Sequence, residues 1–249
     1  MVIGYKRWLE QRYLLDRMSL QDLVKAYFTY PAIQVYLLLM AVCATTAVVL
    51  AEEAFSPLLA VALSALAYPL IEYLLHRFLL HARWLYKSAL TAALWKRIHF
   101  DHHQNPNDLA VLFGALHTTL PVILLVTIPI GWLAGGPAGI AAAMAAGFAI
   151  ISFYEFCHCI QHLSYKPKSR YLLRIRRLHL AHHFHNEQGN FGITSSLWDH
   201  VFGSYYEKPS DVPRSETARN LGYTEDERRR YPWVGELSET PPDGALAEQ

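Results

Sequence analysis

The stretch LAVLFGALHTTLPVILLVTIPIGWLAGGPAGIAAAMAAGFAIISFY, residues 109–154, contains no Asp, Glu, Lys or Arg. A membrane-crossing helix needs about 20 apolar residues. These 46 residues are long enough for two crossings, and Gly135-Gly136-Pro137 marks the break between them. Working outward, Ala32–Ala51 and Ala54–Ile71 are also uncharged and are divided by Glu52-Glu53. The pattern predicts an all-α integral membrane protein. Two helical hairpins supply four membrane helices, at about 31–51, 54–76, 109–134 and 137–160. The wider composition agrees: 53% of the 249 residues are hydrophobic and 17% are charged, well below the ~25% charge usual in soluble domains. Disordered, collagen-like and disulfide-scaffold classes are excluded, and a net charge of +1 gives no reason to expect nucleic acid as a partner.

The basic residues set the orientation. Lys and Arg number five in residues 1–30, four in 82–108 and six in 163–205, and none lies in either hairpin turn. By the positive-inside rule both termini and the central loop are expected in the cytoplasm. Residues 1–30 have no long apolar run and read as an interfacial amphipathic segment rather than a cleavable leader, with Trp8, Tyr13, Leu14 and Leu15 towards lipid. Residues 31–205 form the membrane domain. Residues 206–249, with five prolines and the charge run Glu225–Arg230, read as a polar tail, disordered from Ser238 on. Cys43, Cys157 and Cys159 lie in apolar segments and are expected to be free thiols, the last two serving packing.

Ten of the thirteen histidines fall in four clusters. The second helix runs into Glu72, His76 and His81, followed by HFDHH (His99–His103). The fourth runs into Glu155, His158 and His162, followed by HLAHH (His179–His183). The i, i+3, i+4 spacing puts His99, His102 and His103 on one helix face, and likewise His179, His182 and His183. His158 and His162 are one turn apart. His76 and His81, at i and i+5, diverge by about 140° on a regular helix. The helix is therefore expected to end or deform between them. The topology brings all ten rings to the cytoplasmic end of helices two and four, in a helical cap.

Neutral imidazole is a good ligand for divalent iron, zinc, copper or nickel. Ten rings exceed one ion's capacity and suit two ions with about five nitrogens each. A structural zinc pair is the rival use, but zinc sites need fewer ligands. A redox-active diiron site that binds dioxygen accounts better for so many nitrogens. With no bridging carboxylate, the ions should lie further apart than the ~3.5–4 Å of other two-metal sites.

On these motifs the sequence resembles the fatty acid hydroxylase and sterol desaturase superfamily of membrane diiron proteins, from about residue 55 to 205. EYLLHRFLLH (Glu72–His81) and HLAHHFHNEQGNFGITSSLWDHVFG (His179–Gly203) are most similar to fatty acid 2-hydroxylases. The resemblance implies metal ligands at His76, His81, His99, His102, His103, His158, His162, His179, His182 and His183. It implies two iron ions (or zinc in a purified sample), O2 as co-substrate and a lipid from the bilayer. The expected reaction is hydroxylation of an acyl chain at C2. Sterol, sphingoid-base or carotenoid hydroxylation, or desaturation, are the alternatives within the family. The sequence leaves no room for the fused cytochrome b5 domain of some members, so electrons are expected from a separate carrier: cytochrome b5, a ferredoxin or a reductase. A rival from another class is a histidine-rich metal-binding membrane protein without oxidative activity. Transport is disfavoured because the clusters follow the helices instead of interrupting them.

Other polar residues are assigned supporting parts. Glu72, Glu155 and His185 are candidates to hold ligand rings from behind, the two carboxylates by accepting a ring N–H. Asp101 is expected in water, His200 on the surface, and His117 hydrogen-bonded to a neighbouring helix. Trp198 and Phe202 are expected to pack as a lid over the site, with Gly189, Gly192 and Gly203 as turns.

Overall fold

The computed structural model describes residues 12–239. Trp8 and the segment from 240 onward lie outside the described residues. The helices are α1 (Leu20–Thr29), α2 (Pro31–Leu50), α3 (Phe55–Leu75), α4 (Ala89–Trp95), α5 (Asp101–Gln104), α6 (Leu109–Leu112), α7 (Leu116–His162), α8 (Arg170–Phe184), α9 (Leu197–Val201), α10 (Glu225–Arg230) and α11 (Trp233–Glu239). Among the described residues, three helical segments are long and apolar enough to cross a membrane: Pro31–Leu50, Phe55–Lys87 and Leu109–His162. The chain is thus a multi-pass membrane protein.

The third segment departs from helix where the sequence placed a break. Gly135 is extended and Gly136 has φ +55°, a left-handed conformation that costs any residue with a Cβ. Past the break, Gly139 lies so close to Gly131 that a Cβ on either would run into the other's stretch of backbone. Further down, a Cβ on Gly147 would meet Thr127 and Ile123 side chains at 2.8 and 3.1 Å. The two halves of α7 therefore pack side by side, folded back at the glycine pair. Gly139→Val is expected to force them apart and lower stability by about 1–3 kcal/mol, read as a fall in thermal unfolding temperature in detergent. Leu133→Val, at an 85% exposed position, should leave it unchanged.

α2 packs on one side of α7, with the Tyr36 hydroxyl 2.5 Å from Thr119 Oγ1 and the Tyr36 and Phe148 rings stacked at 6.4 Å. α3 also packs against α7, with Ala60 in one buried cluster with Ala141, Ala142 and Ala143, and a cavity lies between α3 and α7.

Both ends of the chain differ from the sequence expectation. Tyr13 and Leu15 do not face lipid; they are 7% and 0% exposed in the protein core. The strand-like stretch at Leu14 bridges Asp108, with Leu15 N donating to Asn107 O and Leu109 N to Tyr13 O. Unpaired backbone there found partners in the protein, which outweighs an amphipathic pattern. Nor do residues 206–239 form a loose polar tail. Leu221, Tyr223 and Val234 pack into a buried cluster with Tyr86, Trp95 and Phe100, and Ser238 and Glu239 belong to α11. Large apolar side chains spaced through a polar stretch dock it, with Tyr86 also donating to Glu227 at 3.0 Å.

Candidate metal centre

The two i, i+5 histidines meet because the helix changes its winding. His76–Leu80 forms one turn of π-helix, with His81 N donating to His76 O at 3.3 Å. An i→i+5 bond brings residues five apart onto one side, and the two rings stand 5.0 Å apart. A second π turn, Lys96–Phe100, leads into HFDHH.

All ten clustered histidines converge, and they divide into two groups. One is His76, His81, His99, His103 and His182; the other is His102, His158, His162, His179 and His183. Within each group one nitrogen per ring lies within 4.8 Å of all the others. Nine of the ten are buried and His81 is half-buried. Each HxxHH motif is shared between the groups. Its i, i+4 pair enters one group and its i+3 histidine enters the other, so His102 and His182 cross over. Residues i and i+4 diverge by about 40° and i+3 sits about 60° to the other side; a helix aimed between two sites feeds both.

The donor set fits cations. His99 Nε2 lies 3.0 Å from the Nε2 of His76, 3.1 Å from that of His81 and 3.0 Å from that of His103. His103 Nδ1 donates to Ala218 O at 2.7 Å and His76 Nδ1 to Phe191 O. A carbonyl only accepts, so these neutral rings carry their proton on Nδ1 and present bare lone pairs at Nε2. Converging lone pairs repel unless a cation lies between them. Donors about 2.1 Å from one ion stand about 3 Å apart at right angles. In the other group His179 Nε2 lies 3.1 Å from His158 Nε2 and 2.9 Å from His162 Nε2.

Burial, then the neighbouring imidazoles, holds His99, His102, His103, His179 and His183 well below the ordinary imidazole range, and burial lowers His182. These rings stay neutral when folded and protonate when unfolded. The unfolded chain therefore binds more protons as pH falls. Metal-free protein is expected to keep its stability above the ordinary imidazole range and lose it progressively below, as thermal unfolding across pH 5–8 would record.

The supporting residues act differently from the sequence expectation. Glu72 accepts its hydrogen bonds from the loop at Ile193 and Thr194, not from a ligand ring. It is 7% exposed and accepts from Ile193 N at 2.5 Å, Thr194 N at 2.9 Å and Thr194 Oγ1 at 2.5 Å. Its carboxylate thus fixes the loop whose Phe191 carbonyl receives His76. Glu155 accepts from Gly114 N at 2.9 Å, and its Oε2 has no hydrogen-bond partner among the described residues. His185 meets the Val212 carbonyl at 2.9 Å and so pins the C-terminal segment. Asp101 pairs with Lys96 at 2.7 Å. His117, on the first turn of α7, lines the cavity between α3 and α7 and makes no hydrogen bond to a neighbouring helix among the described residues. His200 is exposed as expected and stacks on Tyr205 at 3.7 Å. Phe202 stacks on Tyr73 at 5.3 Å, and neither Trp198 nor Phe202 lines the cavity. Cys43, Cys157 and Cys159 are free and buried.

Sequence reasoning missed Asp199. It is 0% exposed and accepts from Phe191 N and Gly192 N, both at 2.9 Å, and from Ser204 Oγ at 2.7 Å. The signal was an acid set between Trp198 and Val201-Phe202. The carbonyls of Gly189, Phe191 and Ala218 were also missed, since backbone acceptors leave no trace in residue identity.

The cavity between α3 and α7 has a volume of about 420 Å³. Its walls are mostly apolar, among them Leu75, Leu79, Ile123 and Ile151; His117 lines it, and four of the ten clustered histidines reach it: His76, His99, His102 and His158. Two come from each group.

Residues 61–204 match the fatty acid hydroxylase family model. The chain is 35% identical over 143 residues to the ceramide very long chain fatty acid hydroxylase SCS7 of Saccharomyces cerevisiae, covering 55% of this chain and 35% of that protein. It is 36% identical over 151 residues to the dihydroceramide fatty acyl 2-hydroxylase FAH2 of Arabidopsis thaliana, covering 59% and 60%. The rat fatty acid 2-hydroxylase is 29% identical over 150 residues, covering 60% and 40%. The chain therefore spans between about a third and three fifths of the length of these relatives. A solved structure of full-length scs7p, in which only the hydroxylase domain is visible, superposes with a TM-score of 0.62 at 30% identity, over 76% of this chain and 69% of that one. With the motif-bearing core matched from end to end, the chain belongs to the fatty acid hydroxylase family.

Proposed function

We propose that this protein is an oxygen-dependent hydroxylase that acts at C2 of a fatty acyl chain, free or in a ceramide-like lipid. One observation carries the proposal: an apolar cavity between membrane helices ends on histidines drawn from both groups. The names of the relatives, acyl 2-hydroxylases among them, support the substrate class. We read the halves of α7 as separate crossings, which makes four in two hairpins. The basic residues then put both termini and the histidine-bearing cap in the cytoplasm.

The ten histidines are the ligands of two iron ions, which when bound supply the activation of dioxygen. The net reaction is RH + O2 + two electrons + two protons → ROH + H2O. The chain's own part is position and dryness. Leu75, Leu79, Ile123 and Ile151 hold an acyl chain and exclude water. The converging rings fix where that chain's first carbons stop. Electrons come from a separate carrier such as cytochrome b5, a ferredoxin or a reductase, reaching the cap from the water side.

The test is expression in a host that makes no 2-hydroxy lipids, with a compatible reductase supplied. Mass spectrometry of total lipid should then find 2-hydroxy acyl chains. Hydroxylated sterol, sphingoid base or carotenoid without them would overturn the substrate, and no oxidised lipid of any kind would overturn the activity. Ser64 lines the cavity twelve residues before His76, about 18 Å along the helix. Ser64→Phe should fill that far end and shift products to shorter chains. An unchanged chain-length profile would mean the acyl chain lies elsewhere.

A further inference from the structure

We propose that the two histidine groups hold their metal ions unequally. The group of His76, His81, His99, His103 and His182 holds a resident ion. The group of His102, His158, His162, His179 and His183 holds an exchangeable one. This rests on the reading of the ten rings as metal ligands.

The difference lies behind the rings. In the first group three of five rings are anchored through Nδ1 to backbone carbonyls: His76 to Phe191, His103 to Ala218 at 2.7 Å, and His182 to Gly189 at 2.8 Å. In the second group the Nδ1 of all five rings is buried and makes no hydrogen bond among the described residues. An Nδ1–H donated to a fixed acceptor sets the tautomer, holds the ring plane and raises the basicity of Nε2. Losing such a partner typically costs 10–100-fold in metal affinity.

The anchors are themselves fixed, so they preorganise the first group. Asp199 holds the Phe191 and Gly192 N–H groups at 2.9 Å. Asn190 N donates to Ser204 O at 2.9 Å, and the Asn190 side chain brackets Tyr206 by donating to its carbonyl at 3.0 Å and accepting from its N–H at 3.1 Å. Beside Ala218, Thr217 Oγ1 donates to Glu187 at 2.6 Å. All three anchoring carbonyls belong to the chain after α8, which wraps the first group. His158 and His162 stand on α7 and His179 and His183 on α8, and among the described residues no such carbonyl reaches them. Ala218 lies beyond the matched residues 61–204, so part of this device belongs to the C-terminal segment.

Zinc is the probe. The full chain in lipid nanodiscs would be loaded to two zinc ions, then challenged with a chelator, with metal per chain read by plasma mass spectrometry. One ion should leave at least about tenfold faster than the other. Anomalous scattering from the one-zinc protein should then place the remaining ion among His76, His81, His99, His103 and His182. A single phase for both ions, or a residual ion among the other five, overturns the proposal. Uptake of no zinc at all overturns the metal-centre reading itself.

Asp199→Asn separates anchoring from general integrity. It weakens the hold on the Phe191 and Gly192 N–H groups, and through that backbone on the Phe191 carbonyl, so it should speed loss of the slow ion while leaving the fast one unchanged. Equal acceleration of both would count against the proposal.

Discussion

Alanine at His103 or His183 is expected to remove at least 99% of 2-hydroxy acyl product, whereas His200→Ala keeps at least half. These magnitudes are set by roughly 10–100-fold for losing even the partner of a ligand; loss of the ligand itself should exceed that. His103 presents Nε2 3.0 Å from His99 Nε2, and His183 is 0% exposed in the other group. One change thus strikes each group. If both ions are needed to reduce dioxygen, either change stops the reaction although the other ion remains. Folding should suffer less, because the membrane helices satisfy their own backbone and pack on one another. His200 is exposed and bonds the Ser196 carbonyl at 2.6 Å, away from both groups. Product by mass spectrometry and metal per chain should be read together. Full product from His103→Ala would end the two-metal assignment. Equal losses from His200→Ala would show that the host assay reports expression rather than chemistry.

The long apolar helices were legible because lipid solvent imposes long uncharged runs, and the break at Gly135–Gly136 was legible because little else tolerates a left-handed residue there. The ten histidines were legible as clusters. The i, i+5 spacing of His76 and His81 even required a deformation, which the π turn supplies. The division of each HxxHH motif was not legible. Placing three rings on one helix face does not say that the face looks between two sites, and only the partner helix decides that. The supporting roles failed for a related reason. Glu72 and Glu155 share a helical face with ligands, yet the nearest donors are the backbone N–H groups of Ile193, Thr194 and Gly114, brought there by remote segments. The C-terminal docking of Leu221, Tyr223 and Val234 was hidden by the prolines and charges around them.

Glu72→Leu is expected to cost about 10–100-fold in activity and to loosen metal, although Glu72 accepts its hydrogen bonds from Ile193 and Thr194 and not from a ligand ring. The side chain sits one turn before His76 on α3 and accepts two backbone N–H groups and one hydroxyl from Ile193 and Thr194. Leucine fills similar volume but leaves those buried donors unpaired, at about 1–3 kcal/mol each. The loop can relieve that only by moving, and it carries the Phe191 carbonyl that anchors His76. The damage should therefore appear as faster loss of the ion held by His76, His81, His99, His103 and His182. Glu72→Gln keeps one acceptor oxygen and should fall between wild type and leucine. Glu155→Leu, which frees the single N–H of Gly114, should cost less in metal retention. Zinc release from each variant, measured beside activity, decides the matter. If Glu72→Leu releases zinc at the wild-type rate yet is inactive, the carboxylate serves the substrate cavity it also lines rather than the loop behind the metal.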